Sequence, residues 1–182
     1  MQLESDVVAV RAAAAALVGL TLAAAARATE PDFGWFGSLA GSCWVATFPD
    51  GRTFHTQCYT RQFGKFLRGS AKLESEREGQ RSTQFEGDSL FAWDQSTRRI
   101  AYFIWGSDGS YRQLDAHYVD EELFFPVPGR TDPTQIAYRS VWRRMGENSF
   151  EVRRERLSGG AWSVDLKVVY RKDQQSPGNG SR

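Results

Sequence analysis

What most constrains this chain is a series of short segments, from residue 42 to residue 171, in which apolar and polar residues alternate and turn signals intervene. Ten segments fit a strand: 42–48, 53–63, 65–75, 81–93, 99–105, 111–119, 122–127, 136–145, 150–157 and 162–171. Most are separated by turn formers: Pro49-Asp50-Gly51, Glu78-Gly79, Asp94-Gln95-Ser96, Ser107-Asp108-Gly109, Asp120-Glu121, Gly146-Glu147-Asn148 and Gly159-Gly160. Gly, Asn and Asp accept the left-handed backbone that tight hairpin turns need. Strand side chains point alternately to two faces, so each segment can bury one of them. No segment in this region has a long apolar stripe at helical spacing, so no major helix is expected. Ten strands joined by tight turns predict an all-β, up-and-down antiparallel sheet. A sheet this wide curls, and closure removes its open edges, so a β-barrel of about ten strands is expected. A two-sheet sandwich is the alternative. The one long loop is 128–135, PGRTDPTQ, whose prolines make it a poor strand.

The first residues belong to a different class. Ala12 to Ala26 is a run of 15 residues without a charge, preceded by Arg11. Ala26-Arg27-Ala28 has the small-x-small form of a signal-peptidase site. The run is shorter than the roughly 20 residues of a spanning helix, so a cleaved leader is expected over a permanent anchor. Glu4 and Asp6 make its start acidic where basic residues are usual, which fits a true start further downstream. The expected organisation is a signal peptide at 1–28, one barrel domain at 29–173 and a disordered tail at 174–182. A periplasmic or secreted location follows, with no stable membrane span after cleavage. Lys and Arg number 23 against 22 Asp and Glu, which argues against a nucleic-acid-binding surface.

Export makes a disulfide between the two cysteines, Cys43 and Cys58, plausible. If Asp50-Gly51 is a two-residue hairpin turn, the cysteines face each other. If Pro49 starts a type I turn with Gly51 as a bulge, they miss by one residue. The absence of a C-x-x-C motif points to stapling and not to redox catalysis.

The pattern Leu39-Ala40-Gly41-Ser42-Cys43-Trp44 resembles the L-x-G-x-W opening of calycin-type barrels, with one residue more between Gly and Trp. Gly64-Lys65-Phe66-Leu67-Arg68-Gly69 and Phe91-Ala92-Trp93-Asp94 resemble segments of a bacterial group of lipocalin-like domains. The likeness covers residues 33–172. It implies a barrel with an internal cavity and a small apolar ligand or haem. The motifs are scaffold, so the resemblance transfers no binding residue.

Alternation also proposes which residues face inward. Trp162, Val164, Leu166, Val168 and Tyr170 share one strand face. Laying apolar on apolar pairs Phe150 with Tyr170 and Val152 with Val168, which sets Arg154 beside Leu166 and Arg156 beside Val164. Pairing Trp142 with Val152 sets Ser140 beside Arg154 and Tyr138 beside Arg156. The expected ligand site is therefore Tyr138, Ser140, Trp142, Arg154, Arg156 and Leu166. A buried guanidinium needs a partner, and its planar fork suits a carboxylate. The arrangement resembles, in residue types only, the arginine–tyrosine sets of intracellular fatty-acid carriers. The competing reading is a solvated ion-pair ladder with Glu151 and Glu155, with Arg156 reaching the rim.

The function expected from these features is binding of a hydrophobic or amphipathic small molecule. No cofactor is otherwise expected. Haem is a sub-case that needs an axial ligand, usually His, Cys, Tyr or Met, and His55 and His117 are the only histidines. An enzyme is a second class. Its best fragment is Asp115-x-His117, with no assignable nucleophile, no H-E-x-x-H and no zinc-spaced cysteines. A structural or interaction barrel using outward Phe103 and Val169 is the third.

Overall fold

A computed structural model of the chain describes residues 31–128 and 135–174. The expected leader at 1–28, most of the 128–135 loop and nearly all of the tail lie outside the described residues. The described chain is a closed antiparallel barrel of ten strands, each beside its sequence neighbours, with first and last joined. The strands are β1 (Ser42–Thr47), β2 (Thr53–Gln62), β3 (Phe66–Arg77), β4 (Gln80–Asp94), β5 (Arg99–Gly106), β6 (Tyr111–Val119), β7 (Glu122–Pro128), β8 (Ile136–Arg144), β9 (Ser149–Ser158) and β10 (Ala161–Lys172). All ten fall on the segments expected from alternation, with ends displaced by at most a few residues. The all-β barrel is therefore settled, and the sandwich is excluded.

The first hairpin reconciles the two turn readings. Gly51 donates its N–H to the Phe48 carbonyl (2.9 Å) and has φ +67°, so Pro49 does start a turn that ends on a left-handed glycine. Phe48 also donates to the Thr53 carbonyl (2.8 Å), so the loop holds one further residue, Arg52. Asp50 fixes it by accepting the N–H groups of Arg52 and Thr53, each at 2.9 Å. The extra residue brings Cys43 opposite Cys58, and the two form a disulfide on the outer wall.

One end of the barrel is closed by the residues before β1. Gly34–Leu39 forms a 3₁₀ helix, a short element that sequence periodicity does not reveal. Phe33, Phe36 and Leu39 are buried in the core. The Phe36 ring lies 4.9–6.2 Å from the rings of Tyr59, Phe91, Phe125 and Trp142, so it closes the barrel floor from inside. Three side chains hold this plug to the wall. The Tyr118 hydroxyl donates to the Phe33 carbonyl (2.9 Å) and accepts the Phe36 N–H (3.2 Å). Trp44 Nε1 donates to the Leu39 carbonyl (3.1 Å), and Trp35 Nε1 to the Glu121 carbonyl (3.0 Å). Gly34 is required twice: its φ is +53°, and a Cβ there would meet the Tyr118 ring and hydroxyl at 3.0 Å.

Two seams of the wall are short. β1 and β10 pair at two positions, Trp44–Lys172 and Val45–Arg171. β6 and β7 pair at three, His117–Phe124, Tyr118–Leu123 and Val119–Glu122, all next to the plugged end. Beyond them, among the described residues, β6 from Tyr111 to Ala116 and β7 from Phe125 to Pro128 run without pairing to each other. The cause is legible in β7. Pro126 and Pro128 have no backbone N–H to give a ladder, and proline in a sheet is tolerated essentially at edges.

The outer wall of β7–β9 carries an ion-pair network. Glu151, only 2% exposed, meets Lys167 Nζ at 2.7 Å, Arg153 at 3.3 Å and Arg143 at 3.7 Å. Arg153 continues to Glu122 (2.9 Å) and Glu155 (3.4 Å), and Glu155 to Arg139 (2.6 Å). Burial opposes the Glu151 charge, and these cations outweigh it, holding the carboxyl below its usual range. The solvated ladder of Glu151 and Glu155 with Arg154 and Arg156 is not what forms: both carboxylates are buried, and their partners are Arg153, Arg139, Arg143 and Lys167.

Candidate functional site: the lumen

The barrel interior above Phe36 holds a cavity of about 320 Å³. Its apolar wall combines five aromatics, Tyr59, Phe91, Tyr102, Phe125 and Trp142, with the aliphatic Ala71, Ile104, Leu114 and Val127. Strand alternation places them there, because Phe91 stands opposite Tyr102 across β4–β5, where the rings stack at 4.9 Å. Gln57, Ser89, Ser110, Arg112 and Ser140 add polar groups. Burial pushes the Tyr102 hydroxyl up to about 12, with Arg112 pulling weakly the other way, so it is a neutral donor at any ordinary pH. Trp142 is 8% exposed, and its indole N–H is buried without a partner among the described residues. A buried donor left unpaired costs about 1–3 kcal/mol.

The register expected for β8 and β9 is present: Tyr138 faces Arg156, Ser140 faces Arg154 and Trp142 faces Val152. Ser140 and Trp142 line the main cavity. Tyr138, Ser140 and Arg154 line a smaller cleft of about 280 Å³ with Val127 and Asp165. Leu166 packs against the core beside Val152.

Between β9 and β10 the register holds only in part. Arg154 faces Leu166 as expected, but a bulge between Val164 and Leu166 shifts the rest by one residue. Arg156 therefore faces Ser163, and Val164 faces Glu155. Trp162 and Val164, expected inside, are turned to the outer wall, where Arg139 lies 4.2 Å over the Trp162 ring. Asp165, at the bulge, supplies a carboxylate that Arg154 needs: Arg154 Nε donates to both its oxygens, at 3.0 and 3.2 Å. The Arg154 side chain is 52% exposed and Arg156 is exposed.

Arg112 was missed by the sequence reading. It shares its strand face with Leu114, Ala116 and Tyr118, so parity alone points it inward. Unlike Arg154, it has no ion pair among the described residues.

Of the two histidines, His55 faces inward and His117 outward. His55 Nδ1 and the Tyr170 hydroxyl share a hydrogen bond of 2.6 Å. Burial lowers the imidazole to about 4, so it is neutral under ordinary conditions. His117 lies over Phe124, its ring stacked at 5.8 Å, and Asp115 faces Ala101 on the same outer surface. Neither reaches the lumen. Among the described residues no group of three or more His, Cys, Asp or Glu is placed to hold a metal ion. Neither histidine is therefore placed to serve as an axial haem ligand in the lumen, and the tyrosines that line the cavity are Tyr59 and Tyr102.

No protein-family model matches the chain, and no curated protein matches it.

Proposed function

We propose that the protein is an exported binding protein that holds a small hydrophobic or amphipathic molecule in its barrel lumen. The observation that carries this is the cavity of about 320 Å³ lined by five aromatic side chains above the floor that Phe36 closes. A guest there gains about 25 cal/mol for each Å² of apolar surface removed from water, before the costs of association. The disulfide supports an oxidising compartment, periplasmic or secreted, and the leader-like N-terminus supports export. No helix among the described residues is long and apolar enough to cross a membrane. The ten-strand barrel is compatible with a calycin-like, lipocalin-like domain, and Trp44 in the resembling motif is buried where it ties the plug to β1. Native mass spectrometry of protein purified from the exported fraction tests the proposal. A co-purifying small molecule that leaves on denaturation is expected. A bare protein that also fails to take up any apolar probe overturns it.

A further inference from the structure

The open length of the β6–β7 seam borders the cavity. Arg112 and Leu114 on β6, and Phe125 and Val127 on β7, line it from the two sides. Phe125 is buried and fills the base of the seam, whereas Leu114 and Val127 are only partly covered. Because Pro126 and Pro128 supply no N–H, the described residues of this seam, Leu114 to Ala116 against Phe125 to Val127, lack donors with which to zip shut as the neighbouring seams do. The opposite end gives no passage, since Phe36 and its aromatic neighbours fill it. Arg112 adds chemistry to the opening. It is exposed, it stands on the cavity wall, and its charge is felt at the Tyr102 hydroxyl. Asp108, on the adjoining turn, is held below the usual carboxylate range first by hydrogen bonds from Ser110 (N–H at 2.9 Å) and then by the charge of Arg112, with which it forms no direct ion pair. Arg154, in the neighbouring cleft, is already neutralised by Asp165.

We propose that guests enter the lumen through the side of the barrel, between β6 and β7, and that Arg112 makes this entrance selective for anionic amphiphiles. The inference rests on the lumen being a binding site. An anionic head would sit at Arg112, and the apolar part would pass between Leu114 and Val127 into the aromatic box.

The test uses two fluorescent probes of similar size, the anionic anilinonaphthalene sulfonate and the neutral phenylnaphthylamine. The full-length Asp115→Cys/Pro126→Cys variant places two outward thiols across the seam. Its association with each probe is followed by stopped flow after oxidation, or after bridging by a bis-maleimide where no disulfide forms. The same variant with its thiols alkylated separately is the reference. Bridging is expected to slow association about tenfold for both probes while leaving equilibrium affinity nearly unchanged. Arg112→Gln, in the native background, is expected to weaken the sulfonate about tenfold and the neutral probe less than about twofold. Because Pro126→Cys restores a backbone N–H to the seam, native protein is the second reference, and equal association rates for native, unbridged and bridged protein would overturn side entry. An equal effect of Arg112→Gln on both probes would overturn the anion selectivity. If neither probe binds the native protein, the cavity reading itself falls, an outcome distinct from both.

Discussion

The two ends of this barrel are built on opposite principles. At the plugged end, Phe36 sits among four aromatic rings, and side chains pair the plug's polar groups: Tyr118 for its backbone, Trp44 for Leu39, Trp35 for Glu121. At the open end, strand positions that alternation assigns to the inside carry Arg112, Arg154 and Arg156, all exposed, and the β6–β7 ladder has stopped. Inward is not the same as buried. A strand face is dry only where something covers the end of the barrel. Stability is therefore concentrated near the plug, and the capacity to admit a guest near the rim.

The sharpest way to break this contrast is Phe36→Ala. It deletes a fully buried ring and should cost about 3–5 kcal/mol, read as a lower midpoint in urea unfolding. A loss under 1 kcal/mol would mean that the plug is an accessory. Replacing both Cys43 and Cys58 with Ser should cost about 3 kcal/mol, as expected for cysteines 15 residues apart, measured by the same denaturation.

Acid sharpens the comparison through His55. Its folded-state value, about 4, lies below the unfolded value near 6.5. Between those values the unfolded chain takes up a proton that the folded protein refuses, so stability falls as pH drops from 6.5 to about 4. The full loss is about 3 kcal/mol as an upper bound. In His55→Gln that decline should flatten when melting temperature is followed against pH. Glu151 acts in a lower window. Its depressed folded value gives stability that is present above 4.5 and lost as pH falls below it, and Glu151→Gln should blunt that second decline.

The smallest effect belongs to the rim. Arg154→Ala breaks a half-exposed ion pair and should change stability by less than about 1 kcal/mol. A loss as large as that of Phe36→Ala would erase the distinction between the ends.

Much of the wall was legible in the sequence, because period-two alternation and glycine-rich turns act over short distances. The β8–β9 register followed from matching Trp142 to Val152. The bulge at Asp165 did not show, since Trp162, Val164, Leu166, Val168 and Tyr170 alternate without a break and only the partner strand reveals the slip. The plug escaped because GWFGSL is too short to display a helical period, and its partners are far away in sequence. Arg112 and the open seam were within reach. Parity with Leu114 placed the arginine inside, and two prolines marked β7 as a strand that cannot be paired on both sides throughout.

The two-position seam between β1 and β10 also bears on how the chain is made. During synthesis β1 emerges first, and one of its two neighbours, β10, emerges last. Until then the plug and Trp44 have no finished floor to sit on, so the cylinder can close only after nearly the whole polypeptide is available. A protein wired this way stays threadable while it is being produced, and it locks late.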